Sequence, residues 1–64
     1  MVKINGEELN ADGKKLTDYL NEYGFDLRFI AVEINEEIVP KNHYDNTVLK
    51  NGDIVEVVNF VGGG

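Results

Sequence analysis

Apolar and polar residues alternate from the start of the chain, with Val2 and Ile4 on one side and Lys3 and Asn5 on the other. A period of two over residues 1–5 predicts a half-buried strand. Asn5-Gly6 then predicts a type I′ turn into a second strand over residues 7–10. The period changes at Leu16. Leu16, Tyr19, Leu20 and Tyr23 recur at i, i+3, i+4 and i+7, one face of a helix, and Gly24 fits its C-terminal stop. The start of that helix is poorly marked: Lys15 stands where a cap is expected, and the nearest good caps are Asp12 and Thr17. Two to three turns fall short of the roughly 12 residues an isolated helix needs. The helix must therefore be held by packing on a sheet, with its tyrosines in the core and at its rim.

Alternation returns over residues 29–34. Glu33 must face water, so Phe29 and Ala31 share its side while Ile30, Val32 and Ile34 point to the core. Ile38-Val39-Pro40 is a short apolar piece that Pro40 confines to an edge or ends. Residues 42–46 read as a polar turn, and Asn51-Gly52-Asp53 as a second tight turn into the last strand. That strand has two faces. Glu56 marks one as wet, so Val55 and Val57 belong to the core. Ile54, Val58 and Phe60 then lie on the wet side, beside Ala31 and Phe29 if the two strands pair. The expected order is β-β-α-β-(short element)-β, an α+β domain with one helix on one sheet. Its open face carries an apolar patch of the kind that marks docking sites.

Composition narrows the function. The 64 residues make one small domain, and none is cysteine. A disulfide, a thiolate metal site and a cysteine nucleophile are all excluded. Twelve acidic against six basic side chains give a net charge of −6, which disfavours nucleic acid and anionic membranes and suits a partner with a basic face. No apolar run approaches the roughly 20 residues of a membrane span, and residues 1–5 are no signal peptide. The expectation is a cytoplasmic protein. No phosphate-binding glycine motif is present, so the chain itself is not expected to bind ATP or a dinucleotide. His43 is the sole histidine, in a polar stretch, and reads as a surface residue. Nothing assembles a nucleophile, a base and an orienting group, which argues against an enzyme acting alone and against a bound metal or cofactor.

The last strand runs into Val61-Gly62-Gly63-Gly64. Glycine forms strands and helices poorly but threads a backbone through a tight space. The expected division is a folded domain over 1–61 and a flexible glycine tail over 62–64, a reactive end for insertion into another protein's active site. A frayed terminus is the plainer alternative.

Two stretches carry a family resemblance. Residues 31–41, AVEINEEIVPK, resemble the A-V-E-x-N-x-x-I-V-P-R segment of the ThiS sulfur carriers of thiamine biosynthesis, within the ubiquitin-like β-grasp group. Residues 49–64, LKNGDIVEVVNFVGGG, are similar to that family's L-x-x-G-D-x-(I/V)-E-(I/V)-V-x-x-V-G-G-G ending. Lys41 replaces the usual arginine, and Tyr44 stands where tryptophan is common. The resemblance implies a mixed four- to five-stranded sheet on one helix. It also implies a thiocarboxylate mechanism. An E1-like, ThiF-like enzyme, using ATP and Mg²⁺, joins the Gly64 carboxylate to AMP. A persulfide, as from a cysteine desulfurase, delivers sulfur, and a ThiG-like thiazole synthase takes it from Gly64. Ile54, Val58, Phe60 and Val61 are the expected partner contacts. A molybdopterin synthase small-subunit-like carrier, a ubiquitin-like protein modifier and an interaction domain with an inert tail stay open on the sequence alone.

Overall fold

The computed structural model describes residues 1–60; Val61 and the tail expected over 62–64 lie outside the described residues. In chain order the elements are β1 (Val2–Ile4), β2 (Glu7–Leu9), α1 (Leu16–Glu22), a 3₁₀ turn (Leu27–Phe29), β3 (Ile30–Ile34), β4 (Glu37–Ile38), a second 3₁₀ helix (Lys41–Asn46) and β5 (Ile54–Asn59). The described strands form one sheet of order β2-β1-β5-β3-β4. β5 is central, parallel to β1 and antiparallel to β3, while β2 and β4 close the two edges as antiparallel partners of β1 and β3.

Asn5 and Gly6 have φ of 50° and 85°, the left-handed pair a type I′ turn requires. Asn5 does more than turn the chain. The amides of Lys3 and Asn5 donate to the carbonyls of Asp53 and Val55, each at 2.9 Å. The Asn5 side chain then takes the next rung: Oδ1 accepts from the Val57 amide at 2.8 Å and Nδ2 donates to the Val57 carbonyl at 3.3 Å. A side-chain amide thus extends the β1–β5 ladder after the β1 backbone has turned away. Asn35, also left-handed at φ 52°, works on the other flank. Its Oδ1 accepts from the Ile54 amide at 3.0 Å, and its Nδ2 donates to buried Asp53 at 3.1 Å. The second carboxylate oxygen of Asp53 caps the Lys50 amide at 2.9 Å.

The core lies between sheet and helix. Val2, Ile4, Ile30, Val32, Val55 and Val57 supply the sheet side, and Leu16, Tyr19 and Leu20 the helix side. All the inward positions expected on the strands are buried, with Ile34 partly so. Tyr19 lies in the core and Tyr23, the C-cap of α1, at its exposed rim, with the two ring centroids 4.5 Å apart. Two expectations need correction. The polar turn expected over 42–46 belongs to the second 3₁₀ helix, whose Tyr44 is buried against the core. That burial pushes the Tyr44 hydroxyl pKa up. The second strand stops at Leu9, one residue short of Asn10. The missing helix cap is also explained. No side chain caps α1; the Leu16 amide donates to the Thr47 carbonyl at 2.8 Å. Residues 13–16 run against 47–49, with Gly13 donating to Leu49 and Leu49 to Lys14, and this seats Leu49 fully inside.

The Asn5 clamp is testable. Asn5→Gly keeps the backbone conformation and removes both side-chain bonds, so urea unfolding should show a loss of about 1–2 kcal/mol. Asn5→Ala should lose about 1 kcal/mol more, from placing a Cβ at positive φ. A glycine variant as stable as the parent would mean the amide contributes nothing to the ladder.

Candidate functional site

β5 is amphipathic, and helix α1 covers only one side of the sheet. Val55 and Val57 are buried, while Ile54, Val58 and Phe60 are 56%, 58% and 44% exposed on the open side. Glu56, on that same side, is exposed, as the wet-face assignment requires. Pairing with β3 follows the expected register: Ala31 lies opposite Val58. The ladder continues one step past β5, where the Phe60 amide donates to the Phe29 carbonyl at 2.8 Å. Phe29, Ala31, Val58 and Phe60 therefore share one end of the open face. Ile54 sits beyond Glu56, with Lys3 opposite it on β1. Val61, Gly62, Gly63 and Gly64 fall outside the described residues, so the patch is seen up to the residue before Val61.

The register also places residues that sequence periodicity left unassigned. Ile38, 73% exposed on edge strand β4, lies opposite Glu33 and joins the open face. Glu33 in turn lies directly opposite Glu56. At the Phe29 end a cation is fixed: the Arg28 guanidinium lies 5.2 Å from the ring centroid, within cation–π range. Asp26 holds it there through Nε at 3.1 Å and Nη2 at 2.8 Å, while the Arg28 amide caps the same carboxylate at 3.0 Å. Lys41 donates to the Arg28 carbonyl at 3.1 Å, tying the second 3₁₀ helix to this corner.

His43 is exposed, in keeping with a surface role. Among the described residues no three His, Cys, Asp or Glu side chains cluster in a way that could hold a metal ion, and no helix is long and apolar enough to cross a membrane.

The ThiS family model matches residues 1–64. The chain belongs to the ThiS family. A sulfur carrier protein ThiS from Thermus thermophilus is 41% identical over 64 residues, the full length of both chains. A thiazole synthase from Paramagnetospirillum magneticum is 47% identical over 62 residues, covering 95% of this chain and 19% of that protein; the ThiS-family chain thus spans about a fifth of that relative's length. The crystal structure of a thiamine biosynthesis protein (ThiS) from Geobacter metallireducens matches with a TM-score of 0.77 and 31% identity, covering 98% of this chain and 97% of that one. The expected ubiquitin-like β-grasp fold and the family resemblance are both borne out.

The Asp26–Arg28 pair makes a prediction about charge at the edge of the face. Hydrogen bonds from the Arg28 side chain and amide lower the Asp26 pKa from the ordinary 3.8 to about 2. A depressed folded-state value favours the carboxylate, so the interaction is complete above the unfolded value and is lost as pH falls through about 2. A carboxyl-detected NMR titration should find the low value in the parent and a return towards 3.8 in Arg28→Ala. An unchanged Asp26 titration in that variant would mean the guanidinium is not held over Phe29 by this carboxylate.

Proposed function

We propose that this protein is a sulfur carrier for thiazole formation in thiamine biosynthesis, acting as a protein co-substrate rather than as an enzyme. The observation that carries the reading is the end-to-end match with a sulfur carrier protein ThiS, in which both chains align over their whole length. The fold suits the task. A carrier needs a rigid body, a surface its partners recognise and an end that can enter their active sites. The described domain supplies the first, and the open face of β5 supplies the second beside Val61 and the glycines.

The carboxylate of Gly64 is the reacting group. A carboxylate is a poor electrophile, so an E1-like, ThiF-like enzyme activates it with ATP and Mg²⁺, releasing pyrophosphate and leaving an acyl-adenylate. A persulfide sulfur then attacks the Gly64 carbonyl carbon and AMP departs. The product is an acyl disulfide; a thiol reductant supplies two electrons to cleave its S–S bond, is itself oxidised to a disulfide, and leaves a thiocarboxylate on Gly64 and a thiol on the donor. The sulfur rides on the chain end, so a chain without cysteine is sufficient. Gly62 and Gly63 let the backbone reach the partner's active site. A thiazole synthase is the acceptor; support comes from the relative of that name, in which a stretch like this chain is part of the same polypeptide. Ile54, Val58, Phe60 and Val61 form the contact surface for these partners.

Incubation with the adenylating enzyme, ATP and a persulfide donor should raise the protein mass by the difference between one sulfur and one oxygen, and tandem mass spectrometry should place the change at Gly64. A change mapped elsewhere, or none with a demonstrably active partner, rejects the carrier role. Isopeptide adducts to lysines would point to a protein modifier instead.

The docking face has its own paired test. Phe60→Ser should weaken binding to the thiazole synthase by roughly 1–3 kcal/mol, as at a modest hot spot, with a smaller loss of stability. Val57→Ser should behave oppositely. It removes buried methyls and strands a hydroxyl in the core, at a cost of roughly 2–4 kcal/mol in stability. Thermal melts and binding titrations separate the two; an unfolded Phe60→Ser with a tolerated Val57→Ser would reverse the assignment of faces.

A further inference from the structure

The open face is not uniformly apolar, and one of its two directly opposed charge pairs is unfavourable. On the β1–β2 pair, Lys3 lies directly opposite Glu8, an attractive combination. On the β3–β5 pair, Glu33 lies directly opposite Glu56. Facing residues of an antiparallel pair have Cβ atoms about 4.5–5.5 Å apart, and like charges there are destabilising. Among the described residues neither glutamate is in an ion pair. The ion pairs among the described residues are Met1–Asp12, Lys14–Glu22 and Asp26–Arg28; Lys3, the diagonal neighbour of Glu56, makes none. A surface depression of about 480 Å³ opens at this point, lined by Glu33, Asn35, Glu36, Ile54 and Glu56. Apolar side chains border the carboxylates on β3, β4 and β5: Ile38 beside Glu33, Ile54 beside Glu56, and Ala31 and Val58 one step further along.

We infer that this sheet face docks a basic surface of the thiazole synthase, and that an arginine of that partner seats between Glu33 and Glu56. The inference rests on the carrier reading above. An arginine suits the site better than a lysine: its planar fork can engage two carboxylates at once, and it is weakly enough hydrated to lie among Ile38, Ile54 and Val58. A second copy of this chain does not suit it, because two such faces would bring four glutamates together on chains of net charge −6. The repulsion within the free protein is relieved when the cation arrives. The pair therefore contributes to specificity, since a partner without the cation leaves two carboxylates facing each other in a drier interface.

The experiment titrates the full chain against the thiazole synthase of the same organism at low and high NaCl, with parallel thermal melts. Glu33→Gln and Glu56→Gln should each weaken binding about tenfold or more at low salt and flatten its salt dependence. Neither should lower the melting temperature, because each removes a repulsion. Glu56→Lys should separate the two properties most clearly. It places an opposite charge across from Glu33, raising the melting temperature by about 1–8 °C while weakening binding more than Glu56→Gln does. Phe60→Ser serves as the reference: it should weaken binding without changing the salt dependence. If Phe60→Ser weakens binding while both glutamine variants bind like the parent, the face docks but the acidic pair does not receive a cation, and this inference is overturned. If the parent does not bind the thiazole synthase at all, the partner assignment under the carrier reading falls, and this inference with it.

Discussion

The sheet depends on how β5 is held. It lies between β1 and β3, parallel to one and antiparallel to the other, and neither neighbour is next to it in the chain. Backbone pairing alone leaves each flank short. β1 bends away at Asn5 and β3 at Asn35, both in left-handed conformations that release the side-chain amide towards β5. Asn5 then pairs with Val57, and Asn35 with Ile54 and Asp53. The residues that end the flanking strands are thus the ones that fix the central strand. Since β5 has a strict two-residue period, this fixing decides which side chains enter the core and which lie on the open face. A slip of one residue would bury Glu56 and expose Val55 and Val57.

Local pattern made much of this legible. Alternation around Lys3, Glu33 and Glu56 gave the faces of three strands, because a charge can sit on only one side of a half-buried sheet. Asn5-Gly6 and Gly24 marked their turns because few other residues tolerate the required φ. The parts that were not legible are held by partners distant in sequence. The start of α1 has a backbone partner, Thr47, in place of a side-chain cap, and Leu49 and Tyr44 enter the core because residues 47–49 run along 13–16. Asp53 looked like a turn residue; its burial follows from bonds to Lys50 and Asn35 that no short window contains.

The candidate site divides in the same way. The exposure of Ile54, Val58 and Phe60 followed from Glu56 alone. The opposition of Glu33 and Glu56, and the place of Ile38 beside them, needed the inter-strand register. Each glutamate reads by itself as an ordinary solvated charge, and only the pairing shows that the face sets two of them together. The role proposed for Gly64 rests on the glycine-rich sequence and the family resemblance, not on the described residues.

The position of β5 has a consequence for how the protein comes into being. Strands β1 and β2 form one hairpin early in the chain and β3 and β4 another, yet in the finished sheet the two do not touch; β5 joins them. Until β5 at Ile54–Asn59 has been made, the chain has the residues of both hairpins and the helix but lacks the strand that joins them and the core side chains Val55 and Val57. Isolated two-stranded hairpins are marginal in water. Cooperative folding must wait until β5 is free to insert, which makes its contacts long-range and folding slower than in a helical domain of this size. A chain still lacking β5 cannot present Ile54 and Val58, so the open face is complete only once the two hairpins have been joined.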